Sequence, residues 1–278
     1  MNHTLGVCSW SLRPESPKAL AEATSRCGLS SIQLALDPIR AKEWGLRETR
    51  AVLGDAGITI ASGMMMTEGE DYTSLDSIRE TGGLRPDEHW STNLDRARRT
   101  AEIAAELGLD LVTFHAGFLP HDVADPERAK LIDRLALVAD AFAEHRVHLG
   151  LETGQETALT LIDVLDELAR PTVGVNFDPA NMILYGMGEP TEAFERLLPY
   201  VAQVHVKDAT PTSVPGTWGT EVVVGTGVVD WTRFLHLVDS APRSLWCMIE
   251  REAGERRAED IIAAREHIER VAAGAGHG

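Results

Sequence analysis

The chain reads as a one-domain α/β protein, a closed (β/α)8 barrel. Eight short apolar runs recur along its 278 residues, and helical patterns lie between them. The connections are also lopsided, brief from helix to strand and in places long from strand to helix. The runs fall at 5–9, 31–36, 59–64, 111–115, 148–152, 173–178, 201–206 and 246–250. Most are near-continuously apolar rather than alternating, as parallel strands covered on both faces require. Helical patterns fall, for example, at 17–27, 126–145, 157–169 and 258–273. Gly28, Gly57 and Gly108 each follow a helical stretch and read as helix stops, because a residue without a Cβ takes the left-handed conformation freely. Before the last of them, Leu94, Ala97, Ala101, Ala104 and Leu107 recur at spacings of three and four, a buried helical stripe. An open doubly wound sheet is the rival, but no glycine-rich dinucleotide fingerprint follows the first run. Residues 1–271 are assigned to the barrel and 272–278 to a loose tail. The two longest strand-to-helix connections, 65–91 and 207–229, lie on the side where barrels carry active sites.

Composition narrows the function classes. An apolar content of 44% and a charged content of 25% are those of a soluble globular protein. A formal charge of −17 opposes phosphate backbones and anionic membranes, so neither nucleic acid nor membrane is an expected partner. No apolar stretch approaches the roughly 18 residues of a membrane span. The first residues enter directly into a strand-like LGVCSW without a signal-peptide pattern. The cysteines Cys8, Cys27 and Cys247 have no CxxC spacing and read as small buried residues of a reducing compartment, which places the protein in the cytoplasm.

The chemistry lies at the ends of the last four runs. Glu152 closes HLGLE, Asp178 closes VGVNFD, His205 lies in VAQVH and Glu250 closes LWCMIE, about 26, 27 and 45 residues apart. On neighbouring barrel strands, three carboxylates and one imidazole make a site for one divalent cation. Oxygen-rich ligation with one nitrogen suits Mn²⁺ first, then Mg²⁺ or Co²⁺, over a closed structural Zn²⁺ site. The bland alternative is that each acid caps the next helix or pairs with a rim Lys or Arg. His115 ends the fourth run and faces the same rim, as a candidate for binding a substrate hydroxyl. Lys207 follows His205 by two and points the same way. Trp218, in PGTWG of the long seventh connection, is the best placed of three tryptophans (with Trp10 and Trp90) to stack on a ring. Met64, Met65 and Met66 read as pocket wall or core filler.

This constellation resembles the xylose-isomerase-like barrel superfamily, and within it the sugar phosphate isomerase/epimerase group. Besides the four ligands, the resemblance rests on NLDRARRTAEIAAELGLD before the fourth run, HVKD at 205–208 and GTGVVDW at 225–231, and it covers almost the whole chain. It implies a TIM barrel enzyme acting on a small sugar or cyclitol, with no organic cofactor. Proton abstraction beside a carbonyl would pass through a cation-stabilised enediolate. The resemblance also makes Glu152 and Glu250 the acid/base pair, working from opposite faces of the sugar. A homo-oligomer is compatible with such a chain.

Departures narrow the substrate. Ketose 3-epimerases carry a histidine three residues after the sixth-strand aspartate, where this chain has Asn181, now a candidate substrate contact. Their arginine shortly after the seventh-strand histidine has no counterpart, since Lys207, Asp208 and Pro211 occupy that stretch. A lyase or dehydratase on a keto-sugar, inosose or 3-keto-glycoside is therefore the main alternative, because the same enolisation can expel a β-leaving group. A non-catalytic, metal-bearing sugar-binding protein is the alternative of another class. An apurinic-site endonuclease would need further histidines for three zinc ions, and barrel glycosidases usually place their two carboxylates on other strands.

Overall fold

The computed structural model describes residues 3–275. The elements in chain order are β1 (His3–Cys8), a 3-10 turn (Ser9–Leu12), α1 (Pro17–Arg26), β2 (Ser31–Ala35), α2 (Asp37–Arg40), α3 (Leu46–Asp55) and β3 (Thr59–Met64). There follow α4 (Leu75–Thr81), α5 (Asp87–Leu107), β4 (Leu111–Phe114), α6 (Pro126–Ala143), β5 (His148–Glu152), α7 (Ala158–Leu168) and β6 (Val173–Phe177). The chain continues through α8 (Pro179–Tyr185), α9 (Pro190–Leu197), β7 (Val201–Val206), β8 (Asp208–Thr210) and β9 (Thr220–Val222). It closes with α10 (Trp231–Asp239), β10 (Leu245–Ile249) and α11 (Arg257–Ala275).

Eight parallel strands close in the order β1-β10-β7-β6-β5-β4-β3-β2. The expected (β/α)8 TIM barrel is therefore the fold. β10 closes the ring by pairing with β1 on one side and β7 on the other, with Met248 opposite His205. Local chemistry starts the helices. The Ser16 side chain accepts from the N–H of Ala19 ahead of Pro17, and Thr157 does the same for Thr160. The stops fall as expected, with Gly28, Gly57 and Gly108 at φ of 70°, 71° and 77°. Ala97, Ala101, Ala104 and Leu107 of α5 are buried, and Leu94 packs partly buried beside them. Cys8, Cys27 and Cys247 are buried free thiols. Among the described residues no helix is long and apolar enough to cross a membrane.

Three expectations change. The connection 65–91 carries α4 and the first turn of α5. α4 is seven residues long and is held by a reciprocal Ser74–Ser77 capping box, too short to show a helical period. The connection 207–229 folds back as the antiparallel pair β8–β9, whose strands of three residues carry too little alternation to read. The buried Asp208 carboxylate organises it, accepting from the N–H groups of Gly225 at 2.9 Å and Gly227 at 3.1 Å and from Trp231 Nε1 at 3.0 Å. Finally, α11 runs through Ala275, four residues into the segment read as a tail. Residues 276–278 of that segment lie outside the described residues.

Candidate metal centre and substrate cavity

Strand residues two apart face the same side, and the barrel interior follows that rule with polar side chains. Gln203 and His205 on β7, Asn176 and Asp178 at the end of β6, Gln33 on β2 and Thr113 on β4 are all fully buried. Ser62 Oγ donates to Gln203 Oε1 at 2.6 Å, and Gln203 Nε2 donates to Asn176 Oδ1 at 3.1 Å. Gln33 Nε2 donates to Thr113 Oγ1 at 2.7 Å, which turns Gln33 Oε1 toward His205 Nε2 at 2.8 Å. That carbonyl oxygen accepts only, so the imidazole carries its proton on Nε2. Asn176 Nδ2 lies 3.0 Å from the same nitrogen and also 3.3 Å from Glu152 Oε2, to which it donates. His205 Nδ1 therefore faces the other way, up the barrel. Burial would lower this imidazole, but Cys8, Glu250 and Glu152 outweigh it and hold it well above the ordinary range, so Nδ1 would shed a proton to ligate a cation.

What it faces is the carboxylate cluster. His205 Nδ1 lies 3.5 Å from Glu152 Oε1, 3.7 Å from Asp178 Oδ2 and 3.4 Å from Glu250 Oε2. One donor atom from each of the four residues lies within 4.8 Å of the others. All four are buried, with exposures of 5%, 0%, 0% and 3% for Glu152, Asp178, His205 and Glu250. Asp178 does cap α8, its Oδ1 accepting from Asn181 N at 3.0 Å, but its Oδ2 is buried without a hydrogen-bond partner. His205 Nδ1 is orphaned in the same way. Buried orphan atoms are costly unless something absent from the protein satisfies them. Two orphans aimed at one point between three carboxylates fit a divalent cation, since ligands about 2.1 Å from an ion stand about 3–3.5 Å apart.

The electrostatics agree. Burial raises the Asp178 carboxyl, and Lys207 and His205 oppose that rise without cancelling it. Burial would also raise Glu250, but Lys207 and His205 override it and hold that carboxyl well below the usual range. Glu250 is further fixed by Trp10 Nε1, which donates to Oε1 at 2.8 Å, and by Lys207 Nζ, 2.9 Å from Oε2. Three acids against Lys207, with His205 neutral as a metal ligand must be, leave an uncompensated negative charge that a cation would offset. On the far side of the imidazole, Cys8 Sγ lies 3.7 Å from Nε2, and burial pushes its thiol up to about 12, so it stays protonated.

Above the cluster opens a cavity of about 270 Å³, lined by His115, Asn181, Lys207 and Trp218 together with Tyr72 and Tyr185. That volume suits a small ligand. His115 Nε2 is 3.4 Å from Glu152 Oε1; burial lowers this imidazole, but Glu152, Glu70, Glu250 and Glu252 outweigh it and raise it. Asn181 Nδ2 donates to Glu152 Oε1 at 3.0 Å. Asn181 is crowded from behind by Gly154, at φ 143°, where any Cβ would stand 2.6 Å from that of Asn181. Trp218 packs edge-on against Tyr185 with centroids 4.8 Å apart. Of the other aromatic and methionine candidates, Trp10 belongs to the site through Glu250. Trp90 lies under Arg134 with its ring 5.0 Å away, and Met65 is core while Met66 is exposed. A larger hollow of about 840 Å³ lies at the opposite mouth, where Leu111, His148, Val173 and Trp246 lead into the strands, and it contains none of these groups.

Sequence reasoning missed Gln33, Asn176 and Gln203 beneath the cluster, and Glu252 and Tyr72 beside the cavity. It also missed Glu156, which is 4% exposed and whose carboxyl is shifted by burial alone, with no charged neighbour contributing. Burial pushes its carboxyl from 4.5 up to about 8. The folded protein thus keeps this proton where the unfolded chain has lost it. Stability from this group is full below about pH 4.5 and falls as pH rises toward 8. Glu156→Gln is expected to shrink the drop in unfolding free energy between pH 5 and pH 8 by about 2–4 kcal/mol, read by urea denaturation of both proteins.

Comparison with known proteins agrees with the fold. Residues 21–271 match the family described as xylose isomerase-like TIM barrel. A xylose isomerase domain protein from Planctomyces limnophilus superposes with a TM-score of 0.86 at 29% identity, over 92% of this chain and 93% of that one. D-allulose 3-epimerase from Methylomonas sp., in complex with D-allulose, superposes at 0.72 with 16% identity over 96% of each chain, a likeness of fold. A 3-dehydroshikimate dehydratase of Bacillus anthracis is 25% identical over 91 residues, a stretch that spans only 31% of this chain and 32% of that protein.

Proposed function

The chain belongs to the xylose isomerase-like TIM barrel family, and we propose that it is a divalent-cation-dependent isomerase or epimerase of a small sugar or cyclitol. One observation carries this reading. Glu152 and Glu250 come from β5 and from the end of β10, strands separated by β6 and β7, yet both reach His205 Nδ1 within 3.5 Å beneath one cavity. Glu152, Asp178, His205 and Glu250 would hold the cation, with Mn²⁺ the best match to the donor set. Bound there, it would polarise a carbonyl and offset the charge of an enediolate.

The protein's own groups do the remaining work. One glutamate takes the proton from the carbon beside the carbonyl, and the other returns a proton to that carbon or its neighbour. Asn181, donating to Glu152 Oε1 at 3.0 Å, holds that carboxylate in one rotamer, as Trp10 does for Glu250 at 2.8 Å. His115 and Lys207 present donors to substrate oxygens from the cavity wall, and Trp218 with Tyr185 offers an apolar face for a ring. The second reading, a lyase in which the same enolisation expels a β-leaving group, is supported by the stretch aligned with the dehydratase. Incubation with ketoses, inososes and 3-keto-glycosides in D₂O tests both. Deuterium at carbon with the framework retained marks the isomerase, and loss of water or aglycone marks the lyase. No exchange with any of these, in protein shown to hold its cation, refutes both.

A further inference from the structure

Among the described residues that line the cavity, Lys207 is the one permanently cationic side chain, and it is fully engaged. Its Nζ is 2.6 Å from Glu252 Oε2, 2.9 Å from Glu250 Oε2, 3.4 Å from Asn181 Oδ1 and 3.8 Å from Asp178 Oδ2. A cation in the cluster would draw on Glu250 and Asp178, which leaves Glu252 as the counter-charge of Lys207. Glu252 is not placed there by chance of rotamer alone. Glu221 of β9 accepts from the backbone N–H groups of Glu252 at 3.0 Å and Ala253 at 3.1 Å, and from Arg251 Nη1 at 2.8 Å. The hairpin thus clamps the turn after β10 so that a side chain 53% exposed to solvent still lies over a buried ammonium.

We propose that Glu252 is a specificity-determining residue: by neutralising Lys207 it restricts the cavity to uncharged ligands and excludes phosphorylated or carboxylated ones. An anion entering the cavity would have to break the Lys207–Glu252 pair or stand beside Glu252 and Glu221, so that Lys207 offers it no net positive charge. An uncharged polyhydroxy carbonyl meets no such obstacle and can take hydrogen bonds from Lys207 and His115. This proposal deepens the sugar or cyclitol reading and rests on it for where the substrate sits.

Titration calorimetry with sulfate, a small dianion that needs no particular sugar scaffold, tests it in magnesium-loaded protein at low ionic strength. The wild type is expected to bind sulfate at least about tenfold more weakly than Glu252→Gln, with Glu252→Ala following the glutamine variant. Added chloride should erase the gain, as an exposed charge requires. Glu252 partners a buried ammonium, so thermal melts in magnesium are run first to place each titration below the melting temperature of the variant used. Equal sulfate affinity in the three proteins, or tight binding by the wild type, overturns the proposal. The functional reading fails separately, through absence of deuterium exchange, and leaves the sulfate result untouched.

Discussion

Glu152→Gln is expected to lower proton exchange at the substrate carbon by about 10²–10⁴-fold while the fold persists. The exchange of an oxygen for an amide nitrogen keeps volume, and the remaining oxygen can still accept from one of the two donors that Oε1 and Oε2 now meet, Asn181 or Asn176. On the proposed reading, what is lost is a base and a negative ligand together. The two losses separate by measurement. If the cation still binds, calorimetry gives an affinity within reach of saturation, and exchange measured at saturating ion reports the base alone. The register of β5 and β6, Glu152 opposite Asn176, is unaffected because backbone groups set it. Wild-type exchange rates in a saturated variant would remove Glu152 from the acid/base pair. The mirror substitution, Glu250→Gln, should cut exchange similarly and also leave Lys207, whose Nζ now lies 2.9 Å from Glu250 Oε2, to Glu252 at 2.6 Å.

The second large effect is on stability. Three buried carboxylates share one point, and Asp178 Oδ2 and His205 Nδ1 are left without hydrogen-bond partners. An ion that binds only the folded state raises the unfolding free energy by about 2.7 kcal/mol when its concentration is a hundred times its dissociation constant. Protein stripped with EDTA should therefore melt several degrees lower than protein in excess Mn²⁺, and restoring the ion should restore the melt. Asp178→Asn should abolish that dependence on added ion. The amide can supply its carbonyl oxygen to the Asn181 N–H, so α8 keeps its start while the cluster loses a charge. A melting temperature indifferent to EDTA and Mn²⁺ in the wild type would argue that Lys207 and His205 alone compensate the acids.

The ring of strands was legible because buried parallel strands are near-continuous apolar runs, and because the four ligand candidates break those runs at their ends. The next layer down left a fainter mark that could have been used. Asn176 stands two residues before Asp178 and Gln203 two before His205, so each shares the inward face of its ligand. A polar residue at that offset inside an apolar run points into a barrel, not out to solvent. Gln33, the lone amide in SIQLA, is the same signal on β2. Glu252 and Tyr72 were not legible, since they reach the cavity through turns whose paths depend on tertiary contacts such as the Glu221 clamp. The short α4 and the β8–β9 hairpin escaped for want of length.

The most direct test is anomalous diffraction from crystals soaked in Mn²⁺. One peak is expected within about 2.0–2.6 Å of His205 Nδ1 and of one oxygen each from Glu152, Asp178 and Glu250. A manganese peak elsewhere, or one reached through Cys8 and His205 Nε2 with the three carboxylates turned away, would contradict it.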